Sequence, residues 1–147
     1  MNKFAKGHYT IVNPDKYLGV GKPLYRSSWE LGFMRFCDSH PSVIKWASES
    51  IKIPYRNPLT NKNTVYVPDF FVVYVDKNNK QHAELIEIKP GSQVSLESAG
   101  RSTRNQAQAI INAAKWEAAN AYCRQKGIKF RVITEHDIFH GTKRSKR

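Results

Sequence analysis

Apolar residues recur along this chain with two different periods, and the switches between them mark out its elements. Trp29, Phe33, Phe36 and Cys37 fall at i, i+4, i+7 and i+8, which is one face of a helix over residues 27–39. Ser27-x-x-Glu30 opens that helix with a capping-box signature, Ser27 as N-cap and Glu30 as the third helical residue. Short strands follow at 43–47 and 50–55, with Pro54 and Pro58 marking an edge or an exit and a turn over 57–63. Residues 66–75 are dense in aromatic and β-branched side chains and predict a strand. Pro68 has no N–H to give a ladder, so a bulge or an edge is expected there.

A turn over 76–81 leads to a second strand at 82–89, so the two runs form a candidate hairpin. Residues 90–102 are poor in apolar side chains and predict a loop. From 103 to 126 the helical period returns, with Ala107, Ile110, Ile111, Ala114, Ala118, Ala121 and Tyr122 as its stripe and Gly127 as its stop. A last strand covers 128–134. Helix, strands, helix and strand in that order make an α/β architecture, a central mixed β-sheet flanked by helices. Residues 1–26 mix Gly and Pro with Phe4, Tyr9 and Tyr17, and read as an irregular basic arm lying partly on the body. The expected organisation is a single domain over 1–147, with a core over 27–136 and a basic tail over 141–147.

Composition narrows the class. Hydrophobic residues make up 40% and aromatic residues 12%, which are globular values. No apolar run approaches the roughly 18 residues of a membrane span, and the N-terminus lacks the apolar stretch of a secretory signal, so no membrane partner is expected. Cys37 and Cys123 are isolated and read as reduced core residues. The net charge is +12, unevenly spread: residues 1–26 carry five basic and one acidic residue, 27–89 eight and seven, and 90–147 eleven and four. Basic flanks around a nearly neutral centre suit a polyanion, so DNA is the expected partner. Arg101, Arg104, Lys115 and the tail residues Lys143, Arg144, Lys146 and Arg147 are its candidate phosphate contacts.

The acids of the centre carry the chemistry. Successive strand residues face opposite sides, so Glu87 and Lys89 point together while Ile88 points away. If the two runs pair, Asp69 approaches Glu87. Two carboxylates and an ammonium then share one patch of sheet. Hard oxygen donors suit Mg²⁺, with Mn²⁺ as a substitute, and the lysine can orient water or offset charge on a phosphate. The plain structural readings differ in strength. Asp69 after Pro68 could open a turn, but Phe70 to Val73 continue the strand. Glu87 and Lys89 could be a solvent-facing pair, but Leu85, Ile86 and Ile88 predict a strand buried on both sides, where charge needs a reason. Glu84 alternates to the other face and reads as surface. Glu30 fits a cap as readily as a ligand. His136 and His140 have i, i+4 spacing but no third zinc ligand beyond Asp137 is suggested. Gln106 and Gln108 are possible supports of a site, with nothing to choose between them.

Pro68-Asp69 with Glu87-x-Lys89 resembles the motif of the PD-(D/E)xK nuclease superfamily. Within it, Ser27-Ser28-Trp29-Glu30-Leu31, Pro41-Ser42-Val43, Ile53-Pro54-Tyr55, Tyr66-x-Pro68-Asp69-Phe70 and the segment from Lys126 to Glu135 resemble the endonuclease subunits of heteromeric transposases. They resemble still more the head completion nucleases of T-even-type tailed phages. The likeness spans about residues 25–136. It implies a restriction-endonuclease-like core and makes Glu30 catalytic with Asp69, Glu87 and Lys89. Asp69, Glu87, the Ile88 carbonyl and Glu30 would hold the metal. It further implies a metal-dependent endonuclease acting on packaged DNA during head completion, with phage head or portal proteins as partners. The place would be the cytoplasm of the infected host or the virion head. The alternatives are a transposase-type or junction-resolving endonuclease, and a non-catalytic DNA-binding protein of the head.

Overall fold

The computed structural model describes residues 6–135 and Asp137. In chain order the elements are β1 (Gly7–His8), β2 (Leu24–Tyr25), α1 (Ser28–Ser39), β3 (Val43–Ser48), β4 (Ile53–Arg56), β5 (Asn63–Tyr66), β6 (Phe70–Val75), β7 (Gln81–Ile88), α2 (Leu96–Ala99), α3 (Thr103–Lys126) and β8 (Lys129–Ile133). The central sheet has four strands in the order β3-β6-β7-β8. β3 and β6, and β6 and β7, run antiparallel, while β7 and β8 run parallel. A parallel neighbour cannot be reached by a tight turn, and α3 makes the crossover. The sheet is therefore mixed, with helices on both faces, consistent with a restriction-endonuclease-like fold.

Two apolar clusters sit on opposite faces of this sheet. Met34 and Cys37 of α1 pack on Val43, Trp46, Phe70, Val72, Ile86 and Ile88. Ala119 and Cys123 of α3 pack on Leu85, Ile53 and Tyr66. Each large side chain so buried is worth roughly 1.5–3 kcal/mol against exposure. The alternation along β7 assigns the faces: Glu84, Ile86 and Ile88 turn to α1, Leu85 and Glu87 to α3. α1 begins at its expected cap, with Ser27 Oγ accepting from the Glu30 N–H at 3.1 Å. α3 ends at Gly127, whose φ of 71° is the left-handed conformation that glycine adopts without strain.

Several elements differ from the sequence reading. The run over 66–75 is two strands: β5 ends at Tyr66 and β6 starts at Phe70. Pro68 is accommodated by this break and not by a bulge. β4 and β5 form a separate two-stranded ribbon. The segment after β7 is no plain loop, because it holds a 3-10 turn at Gly91–Gln93 and the short helix α2, capped by Ser95. The buried positions of α3 are Ala109, Asn112, Ala119 and Cys123, and Ala121 is exposed. Small residues occur all round this helix, so its stripe was poorly determined. The 91–99 segment covers one end of it and the sheet and ribbon the other. Glu84 is not surface but 6% exposed; it accepts from the Tyr74 hydroxyl at 2.6 Å and from Arg131 Nε at 3.0 Å. Those partners lie on adjacent strands, out of sight of the local pattern.

The arm is more ordered than expected. β1 pairs with β2, Leu18 N–H donates to the Trp46 carbonyl, and the Tyr17 ring meets Trp46 edge-on at 4.6 Å. The arm thus covers part of the outer edge of β3, which would otherwise expose unpaired backbone. It is fastened by Asp38, a carboxylate 1% exposed at the end of α1. Asp38 accepts from the Tyr9 hydroxyl at 2.6 Å and from the N–H groups of Val12 and Asn13 at 2.8 and 3.0 Å. Burial alone would raise its pKa, but these donors more than offset that and hold it below the usual carboxylate value.

A carboxylate with a lowered pKa stabilises the fold above its unfolded value near 4, and that stabilisation is lost as pH falls through the folded value. Asp38→Asn should therefore cost about 1–3 kcal/mol at neutral pH, from the lost charged acceptor. Limited proteolysis should then cut within residues 6–26 before the body. Equal arm protection in variant and parent would contradict this role of Asp38.

Candidate active site

The site forms where the antiparallel pairing of β6 and β7 runs out. Phe70 lies opposite Ile86, and one step further the register brings Asp69 opposite Glu87. The break at Pro68 frees Asp69 from the ladder, and its Oδ2 accepts from the Ile88 N–H at 2.8 Å. Glu87 is 4% exposed. Its Oε1 accepts from the Tyr66 hydroxyl at 2.8 Å, and its Oε2 lies 3.5 Å from Lys89 Nζ. Lys89 follows the end of β7, held by its N–H donating to the Ile133 carbonyl of β8. Lys115 reaches in from α3 and places Nζ 5.5 Å from the centre of the Tyr66 ring.

The electrostatics follow from crowding in a partly dry corner. Burial pushes Asp69 well above the usual carboxylate range, and the Glu87 and Glu30 carboxylates push it further, against the Ile88 N–H and Lys89. Burial also raises Glu87, with Lys89, the Tyr66 hydroxyl and Lys115 pulling it down. Tyr66 is pushed up by burial and then by Glu87, so its phenol keeps its proton and stays a donor. Lys115 is lowered by burial and by the neighbouring Lys89, against the pull of Glu87 and Asp69.

Glu30 stands both at the start of α1 and on a cleft. Its Oε1 accepts from the Arg26 N–H and its Oε2 from Ser27 Oγ, each at a long 3.3 Å, so it reaches the residue before the N-cap and not the Ser27 N–H that the expected capping box would use. The same carboxylate lines a cleft of about 360 Å³ with Arg26, Trp29, Ile88, Lys89, Gln93 and Arg104. Burial raises its pKa, against its donors at Arg26 and Ser27. Arg26 Nη1 pairs with Glu49 Oε1 at 2.8 Å on the same rim.

The structure thus brings Glu30, Asp69, Glu87, Ile88 and Lys89 to one corner, with Lys115 beside them and Arg104 on the cleft. Arg101 is exposed between α2 and α3. Lys143, Arg144, Lys146 and Arg147, with His136 and His140, lie outside the described residues. Sequence reasoning missed Tyr66 as the partner of Glu87. It also missed Asn112, fully buried, which accepts from Gln108 Nε2 and donates to the Gln93 carbonyl. That chain ties α3 to the turn just after Lys89, while Gln106 donates to the Gly100 carbonyl instead. A lone amide among alanines and isoleucines was the available signal for Asn112.

The corner fits a hard divalent cation. Among the described residues no three His, Cys, Asp or Glu side chains form a ready-made metal cluster. The charge of Glu30 adds to the upward push on Asp69. Two crowded carboxylates with a main-chain oxygen nearby still match Mg²⁺, which usually takes one or two carboxylates and fills its remaining positions with water and phosphate.

Two comparisons with known proteins bear on this corner. Residues 40–135 match the family described as TnsA-like endonuclease N terminal. The chain is also 32% identical over 142 residues to the head completion nuclease of Enterobacteria phage T4, covering 90% of this chain and 92% of that protein. Asp69, Glu87 and Lys89 fall within the matched family span; Glu30 precedes it.

A carboxyl with a raised folded pKa favours the fold fully below its unfolded value, near 3.9 for Asp, and that contribution disappears as pH rises through the folded value. In metal-free buffer Asp69→Asn should therefore gain stability over the parent as pH rises from about 4. The gain should read as a difference in Tm that widens with pH. Thermal unfolding of both proteins in EDTA across pH 4–8 checks it. A parent that outlasts the variant increasingly with pH would contradict the crowding.

Proposed function

This chain belongs to the TnsA-like endonuclease family, and from that premise we propose that it is a metal-dependent endonuclease that hydrolyses DNA phosphodiester bonds. The observation that carries the reading is the convergence of Asp69 and Glu87 at the end of the β6–β7 ladder, with Lys89 3.5 Å from Glu87. A binding protein would gain nothing from burying two like charges together, which costs several kcal/mol when uncompensated.

Asp69 and Glu87, with the Ile88 carbonyl, would hold Mg²⁺ or Mn²⁺. When bound, such an ion makes a water more acidic and offsets charge developing on the phosphate. Tyr66 fixes the rotamer of Glu87 by its hydrogen bond. The Ile88 N–H fixes one oxygen of Asp69 and leaves the other for a ligand. Lys89, on the cleft, is placed to orient the attacking water or to stabilise charge gathering on the phosphate oxygens. Glu30 supplies a third carboxylate at the cleft, and Arg104 a cation for the backbone of the same strand. The similarity to a head completion nuclease extends the proposal to the setting: DNA packaged in a phage head, with head or portal proteins as partners.

Linear duplex DNA should be cut by the purified protein with Mg²⁺ and left intact with EDTA. Asp69→Asn, Glu87→Gln and Lys89→Ala should each slow single-turnover cleavage by about two or more orders of magnitude while remaining folded. Metal-free DNA binding should be kept, or tightened for the two carboxylate variants. Parental rates in any of the three would remove that residue from the mechanism.

Glu30→Gln separates cap from ligand. Glutamine serves at the third helical position, so Tm should hold. Loss of most cleavage at unchanged Tm is the expected result. Full activity would leave Glu30 as a cap alone.

A further inference from the structure

The ribbon formed by β4 and β5 has no assigned role, and it is built unlike the rest of the fold. It pairs with no strand of the four-stranded sheet. Its root is buried: Ile53 is 2% and Tyr66 3% exposed, packed with Leu85, Ala119 and Cys123. Beyond the root, Arg56, every residue from Pro58 to Thr64, and Val65 are exposed. A lone two-stranded hairpin is marginal in water, yet this one has a fastened tip. Asn57 Oδ1 accepts from the N–H groups of Leu59 and Thr60, the Asn57 N–H donates to the Lys62 carbonyl, and the Asn61 N–H to the Asn57 carbonyl. The outer part of this preset ribbon, from Arg56 to Val65, lies outside the apolar clusters and needs another reason.

Its chemistry points to one kind of occupant. Residues 50–68 contain Lys52, Arg56 and Lys62 and no acid. Arg56 and Asn63 are register partners, so their side chains stand together on one face at the outer end. Among the described residues neither side chain, nor that of Lys62, makes a hydrogen bond or ion pair. Arginine on guanine and asparagine on adenine are the commonest side-chain readers of base edges, and a two-stranded ribbon fits the major groove of duplex DNA. The exposed apolar residues Leu59 and Val65 would equally suit a protein surface, but unbroken positive charge favours the polyanion.

We propose that the β4–β5 ribbon is a DNA-gripping arm that enters the groove of the duplex to one side of the cut and sets the distance from that grip to the bond hydrolysed. The inference rests on the endonuclease reading above. The coupling is short and rigid. Tyr66 ends the ribbon and holds Glu87 by its hydroxyl, and Asp69 follows three residues later. The buried root therefore holds ribbon and acids at a fixed separation, so the grip sets where the cut falls and not how fast the bond is hydrolysed.

Two variants test it. Arg56→Ala with Lys62→Ala removes charge from exposed positions. Replacing residues 57–62 by Asn-Gly closes the ribbon with a two-residue hairpin turn and keeps the buried root. Both should keep the parental Tm, which confirms folding before binding is measured. Binding of a short linear duplex in EDTA at several salt concentrations gives the slope of log K against log salt. The double variant should be shallower by up to about 1.8, at about 0.9 per phosphate. Hydroxyl-radical footprints should show protection beside the cut by the parent and its loss on shortening. Single-turnover rates at saturating DNA should be unchanged in the double variant. Unchanged slope and footprint in both variants, with a parent that binds and cuts, would overturn the ribbon inference alone. A collapsed saturated rate in the folded double variant would also overturn it, placing these residues in the chemistry. A parent that neither binds nor cuts duplex DNA would overturn the endonuclease reading and this inference together.

Discussion

Two carboxylates that repel each other in a partly dry corner are the constraint on which the rest of the structure turns. Asp69 and Glu87 face one another at the end of an antiparallel ladder, and both are pushed toward their protonated forms chiefly by burial. Folding has to hold them there against their repulsion. Tyr66, Lys89, Lys115 and the Ile88 N–H each offset part of it. Those groups come from three places in the fold: the ribbon root, the end of β7, which supplies both Lys89 and the Ile88 N–H, and the middle of α3. The corner is therefore assembled by the whole α/β body and not by any one segment.

This explains why the body around the corner is stiff. β7 is central and buried on both faces, so it cannot shift without disturbing both apolar clusters. The turn after Lys89 is tied to α3 through Gln93 and the buried Asn112. The arm, clamped by Asp38, covers the edge of β3 on the far side. Strain concentrated at one spot is tolerated because packed elements surround it on all sides. A cation would convert that strain into binding, since it relieves the repulsion the fold has already built in.

Much of this was legible in the sequence, for definable reasons. The strand alternation around Glu87 and Lys89 and the aromatic density around Asp69 are local signals, and they gave the mixed sheet and the meeting of the two acids. Ser27 and Gly127 act within a turn of their own residue, so both helix ends were read correctly. What escaped the sequence depends on partners far along the chain. Glu84 is buried because Tyr74 and Arg131 arrive from neighbouring strands. The stripe of α3 was misjudged because alanines mark no face. Pro68 split one apparent strand into two, since the ribbon leaves the sheet there. Tyr66 could not be recognised as a partner of Glu87 before the path of that ribbon was known.

The central claim is that the Asp69–Glu87 corner exists to take a divalent cation, and calorimetric titration of Mn²⁺ into metal-free protein, run in buffers of different ionisation enthalpy, tests it without any DNA. If the carboxylates are as crowded as their burial indicates, the parent binds Mn²⁺ and releases protons on doing so, more of them as pH is lowered from neutral toward 5, and Asp69→Asn loses both the binding and the proton release. Binding of equal strength by parent and variant, or binding with no protons released at any pH in that range, would contradict the account.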